Sequence, residues 1–334
     1  TFVPPPGYQP IYSPSIPYLG PICGGLRPGM SIYIQGAVPE GITRFHINLQ
    51  CGEFEGADIA FHFNPRFDFW DKVVFNTFRE GVWEGEEKIK KMPFKRGEHF
   101  EMVIVVNSEG YQVNVNGKEF YFYQHRIPVE RVCALEIGGD VCIQTINVIG
   151  GGFPAGMGVS NTGGYPAGMG AGYPSGGMGG GGMGYPGENL PVMGMQPIYN
   201  PTVPYSNMIP GGMSGKRTIV VRGMVPYGAQ RFAVNFVVGF SRDIAFHLNP
   251  RIREGLVIRN SRIGGLWGQE EIEIGINPFM EGQYFDLSIR CGHRRFKIFV
   301  NGQHLCDFFH RFEAFTQVDM LEIEGDVQIS YIHF

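Results

Sequence analysis

The sequence predicts an all-β protein of two β-sandwich domains joined by a low-complexity linker, and three observations carry that expectation. Short runs alternate apolar and polar residues, as in Phe100-Glu101-Met102-Val103-Ile104-Val105-Val106 and Tyr111-Gln112-Val113-Asn114-Val115, the second closed by Asn116-Gly117. Period-two alternation ending in turn residues reads as antiparallel strands and hairpins. Gly, Pro and Asn recur too often for long helices, and no window has a convincing helical stripe. The texture is also written twice: Gln9-Pro10-Ile11-Tyr12 returns as Gln196-Pro197-Ile198-Tyr199, Asn116-Gly117 as Asn301-Gly302, and Leu135-Glu136-Ile137 as Leu321-Glu322-Ile323. A spacing of about 185 residues that drifts by one or two marks a duplicated domain with loop insertions, far longer than a solenoid repeat.

Between the copies lies the third observation, Phe153-Pro154-Ala155-Gly156-Met157-Gly158 followed by Tyr165-Pro166-Ala167-Gly168-Met169-Gly170, Tyr173-Pro174 and Tyr185-Pro186. Glycine does not keep every third place, which excludes a collagen helix, and Glu188 is the lone charge. A disordered, flexible tether is the plainer reading; the alternative is that its spaced aromatics promote self-association. The expected division is a Pro/Tyr-rich segment at 1–16, a first domain at 17–150, the linker at 151–203 and a second domain at 204–334. With 334 residues in all, each domain is long enough to bury its own core.

Composition excludes several functions. A formal charge of −4, with 17% charged residues, supplies no basic field for nucleic acid. The six cysteines, Cys23, Cys51, Cys133, Cys142, Cys291 and Cys306, form no C-x-x-C pair and do not match between copies, so a disulfide framework is not expected. Thr1 to Tyr18 lacks the basic and apolar regions of a secretory signal, and no apolar run is long enough to span a membrane. Synthesis in the cytosol is the expectation.

One polar constellation also occurs in both copies. His62-Phe63-Asn64-Pro65-Arg66 is followed by Asn76, Trp83 and Glu86; His247-Leu248-Asn249-Pro250-Arg251 is followed by Asn260, Trp267 and Glu270. In each copy Trp comes seven residues after Asn, and Glu three after Trp. On a strand, Phe61 and Phe63 would enter the core while His62, Asn64 and Arg66 share the opposite face. A lone histidine beside aromatics is usually structural, but a repeated row of three polar groups points to a binding surface. Trp83 and Trp267, flanked by charge and glycine, read as surface platforms rather than core. An indole covers the apolar face of a pyranose, and galactose suits it because the axial 4-hydroxyl gathers the C–H groups of C3, C4 and C5 into one patch.

These residues resemble the galectin carbohydrate-recognition domain in its H-x-N-P-R, N, W-x-x-E pattern. The resemblance spans about 130 residues of each half, and the doubled domain with its linker and Tyr8-Gln9-Pro10 segment resembles the tandem-repeat galectins. It implies two jelly-roll sandwiches with no cofactor and no metal. It also implies that His62, Asn64 and Arg66 hold the axial galactose O4, with Arg66 reaching the ring oxygen. Asn76 and Glu86 would hold O6, Trp83 would stack, and Glu86 with Arg66 would reach the next sugar. His247, Asn249, Arg251, Asn260, Trp267 and Glu270 form the second set. The implied partners are β-galactoside glycans on glycoproteins and glycolipids, cross-linked by a bivalent lectin that reaches the cell surface through non-classical secretion and does not insert into membranes.

Departures from the pattern make the copies unequal. Where the family places an arginine two residues beyond the glutamate, this chain has Lys88 and Ile272. Lysine keeps the charge but loses the planar fork; isoleucine loses the donor. The second site is therefore expected to grip the adjoining sugar less firmly. Arg44, His46 and Asn48 align with Arg231, Ala233 and Asn235 on a strand that, by the resemblance, lines an extended subsite, where His46 against Ala233 is a candidate for different specificities. The same residues bear on three rival functions. A glycosidase needs two facing acids, which adjacent Glu86 and Glu87 on one strand cannot supply. A calcium lectin needs several carboxylates per site. A scaffold with vestigial sugar sites remains the alternative.

Overall fold

The computed structural model describes residues 8–150 and 197–334. Of the linker expected over 151–203, residues 151–196 lie outside the described residues, as do its expected self-association and the first seven residues of the N-terminal segment.

The first half contains β1 (Tyr8–Tyr12), β2 (Tyr18–Pro21), β3 (Ser31–Ala37), β4 (Phe45–Gln50), β5 (Ile59–Arg66), β6 (Lys72–Arg79), β7 (Val82–Trp83), β8 (Glu87–Ile89), β9 (His99–Val106), β10 (Gly110–Val115), β11 (Lys118–Gln124), β12 (Ala134–Gly139) and β13 (Cys142–Ile149). The second half contains β14 (Ile198–Tyr199), β15 (Tyr205–Met208), β16 (Thr218–Met224), β17 (Phe232–Val237), β18 (Ile244–Arg251), β19 (Leu256–Ile263), β20 (Leu266–Trp267), β21 (Tyr284–Cys291), β22 (Arg295–Val300), β23 (Gln303–Phe309), β24 (Met320–Gly325) and β25 (Gln328–His333). Among the described residues the helical structure is limited to two short 3₁₀ turns, Val129–Arg131 and Phe315–Gln317. None of the described helices is long and apolar enough to cross a membrane.

Each half is two antiparallel sheets around one core, the sandwich that the alternation predicts. The first pair runs β1-β13-β3-β9-β10-β11 and β2-β12-β4-β5-β6-β7, with β8 on β6; the second runs β14-β25-β16-β21-β22-β23 and β15-β24-β17-β18-β19-β20. Two strands lie upstream of the two expected domain starts: β1 pairs β13, and β14 pairs β25. Phe45, Phe61, Phe63, Phe75 and Phe100 fill the first core, and Phe232, Phe246, Phe285 and Phe296 the second. Rings meet edge-on, as Phe63 does Phe75 at 5.3 Å between centroids. Removing one such ring costs ~3–5 kcal/mol. The outer faces of the sheets containing β3 and β16 also meet, where Tyr33, Val103, Ile149, Val220 and Tyr331 form one buried cluster.

Register aligns the polar constellation. Glu136, Asn48, His62 and Asn76 stand opposite one another across β12, β4, β5 and β6; Glu322, Asn235, His247 and Asn260 do so across β24, β17, β18 and β19. A glycine ends β12 and β24 at the same place. Gly139 (φ 91°) and Gly325 (φ 97°) are left-handed, and a Cβ on Gly139 would lie 2.6 Å from the Arg44 carbonyl oxygen. Only glycine allows β12 so close to the start of β4.

Gly139→Ala is therefore expected to lower stability of the first half by ~1–3 kcal/mol, seen as a lower urea midpoint. Gly41→Ala, with no atom within 4 Å of its added Cβ, should leave that midpoint almost unchanged.

Candidate functional site

The H-x-N-P-R tract owes its geometry to the proline. Phe67 N donates to Thr43 O, so in the antiparallel ladder the next donor facing β4 falls at residue 65, where Pro65 has no N–H. The Phe45 carbonyl would be left without its ladder donor, and Asn64 supplies the substitute: its Nδ2 donates to Phe45 O at 2.7 Å. Asn64 Oδ1 accepts from Arg66 Nε at 2.8 Å, which points the guanidinium along the same face. The second copy repeats each step. Ile252 N bonds Gln230 O, Asn249 Nδ2 donates to Phe232 O at 2.7 Å, and Arg251 Nε donates to Asn249 Oδ1 at 3.1 Å.

The histidines are held just as firmly. His62 Nδ1 is 2.6 Å from Asn48 Oδ1, and Asn48 Nδ2 donates to Glu136 Oε2 at 2.8 Å. A carboxylate only accepts, so Glu136 fixes the amide orientation, Asn48 presents its oxygen, and His62 Nδ1 must carry the proton. Nε2 is then left as an acceptor. Burial, then the electrostatic influence of the neighbouring His46 and Arg66, pushes the His62 pKa down to about 3. Burial and Arg251 push His247 down to about 4, with Nδ1 2.6 Å from Asn235 Oδ1. Both rings are therefore neutral at pH 7.

Asn76 closes the row. Its Nδ2 donates to Glu84 O at 2.9 Å and its Oδ1 accepts from Thr77 N, which leaves one amide N–H toward the open face. Asn260 does the same with Gly268 O and Ser261 N. The indoles lie beside the histidines, with ring centroids 4.6 Å apart for His62 and Trp83 and 4.7 Å for His247 and Trp267. Trp83 is 46% exposed and Trp267 50%, so each offers a half-bare ring on a surface shared with the polar row. An indole in that position keeps an apolar face and an N–H within reach of solvent.

The copies differ where the sequence differs. Lys88 Nζ pairs with Glu86 at 3.2 Å, while beside Ile272 the Glu270 carboxylate turns to Arg251 at 3.7 Å. Arg251 also reaches Glu254 at 3.6 Å, as does Arg231 at 3.7 Å. His46 bonds Glu136 at 3.0 Å and fills the space that Ala233 leaves in the second copy. There an open groove of about 650 Å³ is lined by Arg231, Ala233, His247, Asn249, Arg251, Asn260, Trp267 and Glu270. Among the described residues no group of three or more His, Cys, Asp or Glu is placed to hold a metal. The six cysteines are free.

Three features of the surface were not singled out from the sequence. Glu136 orients Asn48, while Glu322 is taken by Arg242 at 2.7 Å and Ser206 at 3.1 Å. Arg126 donates to Asn76 Oδ1 at 3.2 Å and pairs with Glu87 at 2.8 Å, as Arg311 does with Asn260 at 2.8 Å and Glu271 at 2.9 Å. The repeat itself was the available signal, since His125-Arg126 returns as His310-Arg311 and Glu136 as Glu322. Trp70 is the third. It is 85% exposed beside Phe69 on the loop after β5, whose Asp68 pairs with Arg44 at 2.7 Å. The second copy has no tryptophan there. Of the expected subsite strand, Asn48 and Asn235 lie beneath the histidines, and Arg44 and Arg231 bridge to Arg66 and Arg251.

Known proteins resemble this chain in sequence. The family of galactoside-binding lectins matches residues 17–148 and again 204–334. Rat galectin-4 is 54% identical over 331 residues, covering 99% of this chain and 99% of its own. Human galectin-4 is 50% identical over the same length with the same coverage, and rat galectin-8 is 37% identical over 321 residues, covering 96% of this chain and 95% of its own. Two matched domains and full-length likeness to two-domain relatives have one reading: the chain belongs to the galactoside-binding lectin family, as a tandem-repeat galectin of the galectin-4 type.

Proposed function

We propose that the chain is a bivalent β-galactoside-binding lectin that cross-links galactose-bearing glycoproteins or glycolipids through two unequal, metal-independent sites, one in each of the domains 17–150 and 204–334. The observation that carries the reading is the neutral histidine, held through Nδ1 by an asparagine of the neighbouring strand and lying beside a half-exposed indole, built twice. His62 Nε2 accepts from the axial galactose 4-hydroxyl, and the free N–H groups of Asn64 and Arg66 donate to that oxygen and, from Arg66, to the ring oxygen. Asn76 and Glu86 hold O6, Trp83 stacks on the C3–C5 patch, and Lys88 steadies Glu86 toward the adjoining sugar. His247, Asn249, Arg251, Asn260, Trp267 and Glu270 act alike in the second domain.

Discrimination follows from the same geometry. Moving the 4-hydroxyl to the equatorial position leaves His62, Asn64 and Arg66 covered and partly unpaired, at ~1–3 kcal/mol for each group. Each shallow site binds one disaccharide weakly, while two sites engaged together raise avidity by ~10²–10⁴-fold. Loss of the second-site donor at Ile272 leaves Arg251 engaged by Glu270, so part of its donor capacity is already spent before sugar arrives.

Retention of the full chain on lactosyl resin tests the reading. The Trp83→Ala and Trp267→Ala single variants should each be retained more weakly and the double variant not at all; a folded double variant that is still retained would overturn it. In the Trp83→Ala background, which isolates the second site, Ile272→Arg is expected to raise lactose affinity about 3- to 10-fold by calorimetry, as for one charge-assisted hydrogen bond of ~1 kcal/mol. Acidification should act late. Both histidines have folded pKa values below the ordinary 6.5, so the neutral acceptor persists as pH falls and affinity should be flat from pH 8 to pH 5. Both sites should weaken only as the pH falls to about 4 and below. The unfolded chain takes up those protons near pH 6.5, so stability should decline below that pH even where lactose still binds.

A further inference from the structure

The outer face of a sandwich sheet usually meets water, yet here the faces of β3, β9 and β13 and of β16, β21 and β25 are buried against each other. Tyr33 is 3% exposed, and Val220, Arg222 and Tyr331 are 0% exposed. The two faces descend from one duplicated surface, so their differences show what pairing they favour. Gln35 stands opposite Glu101 on β3 and β9; the same register in the second half holds Arg222 opposite Asp286 on β16 and β21. Tyr33 corresponds to Val220.

Arg222 occupies the middle of the seam. Its guanidinium lies 4.6 Å from the centroid of the Tyr33 ring of the first half, 3.9 Å from Glu101 and 3.8 Å from Asp286. One cation is thus shared by two carboxylates, one from each half. Hydrogen bonds cross on both sides of it. Gln144 Nε2 donates to Tyr284 O at 2.8 Å, Tyr284 OH to Asn116 Oδ1 at 2.9 Å, and Ser330 Oγ to Glu101 at 3.1 Å. Asn147 Nδ2 reaches Asp286 at 3.3 Å. Buried ion pairs add little net stability, but they penalise a wrong partner strongly. Two first-half faces would bring two Glu101 carboxylates together with no cation. Two second-half faces would set two Arg222 guanidiniums at the seam over Val220 instead of a tyrosine ring.

We infer that the duplicated back faces have diverged into a complementary pair that docks the first domain specifically onto the second, around Arg222 and Tyr33, independently of the linker. The partner each face fits is the other half of the same chain, in preference to a second copy of itself. The row containing His62 and the row containing His247 lie on sheets across each core from the seam, so the two sites open in opposite directions. Resting on the bivalent reading above, this geometry suits glycans on two opposed surfaces better than two glycans side by side on one surface.

The test inserts a protease site between Met169 and Gly170 of the full chain, cuts it, and measures mass by light scattering after gel filtration. The cut chain is expected to run as one particle with the 37.2 kDa mass of the intact protein. Val103→Arg, at the rim of the seam cluster, should make the cut halves separate, and Val105→Arg is the second variant should the first fail to fold. Halves that separate in the cut wild type, halves that pair with their own kind, or cut Val103→Arg halves that stay joined would each overturn the inference. Cut wild type should still aggregate lactosyl vesicles, and cut Val103→Arg should lose that activity at least tenfold. Retention on lactosyl resin reports the sugar reading separately: a cut chain that stays one particle but is not retained removes the lectin reading and leaves the docking intact.

Discussion

A proline in a paired strand deletes one ladder donor, and the site is organised by how that loss is repaired. Pro65 and Pro250 leave the carbonyls of Phe45 and Phe232 without a backbone N–H, and Asn64 and Asn249 fill both with a side-chain amide. A buried carbonyl left bare is costly, so the asparagine is held where the repair requires it. Its oxygen then faces the following arginine, which is held in turn. An Asn-Pro-Arg tract in a central strand thus yields two oriented polar side chains on one face with no flexible loop involved. That stiffness suits any shallow binding surface, because freezing mobile side chains at the moment of binding would consume much of a small affinity.

The transverse row applies the same logic across strands. Glu136 orients Asn48, Asn48 sets the proton on His62, and burial keeps the ring neutral. Each member is a short side chain on a neighbouring strand, so the sheet itself supplies the spacing. The second copy keeps the Asn235 to His247 contact but spends Glu322 on Arg242 and Ser206, and replaces His46 by Ala233. With Ile272 in place of a cation, the second face is wider and more lightly braced than the first. Unequal bracing of equal motifs is the structural basis for expecting two specificities from one chain.

Duplication also placed two copies of one outer sheet face in the same molecule, and their divergence set the relation between the sites. The substitution of Arg222 for the Gln35 type lies on the sheet across the core from the polar row of its own half, yet it determines which way the two polar faces point. A cation buried between Glu101 and Asp286 tolerates few alternative arrangements, since removing either acid leaves charge without adequate compensation in a poorly solvated seam.

By itself the sequence determined what depends on local periodicity and on the repeat. Alternation marked the strands because burial of one sheet face leaves a period of two, and Phe61 and Phe63 against His62, Asn64 and Arg66 could be sorted to opposite faces from that period alone. The matched spacing of Asn, Trp and Glu identified one polar surface in each half, and the substitutions Lys88 and Ile272 were legible as differences within it. What only the tertiary structure decided are contacts between strands distant in sequence. Glu136 meets Asn48 across 88 residues and Arg126 meets Asn76 across 50, pairings that follow from sheet order rather than from any local pattern. The burial of Tyr33, Glu101 and Arg222 was likewise not visible, because alternating residues on an outer sheet face look the same whether water or another domain covers them. Only the docking of one half on the other distinguishes the two cases, and that is a property of the assembled surfaces.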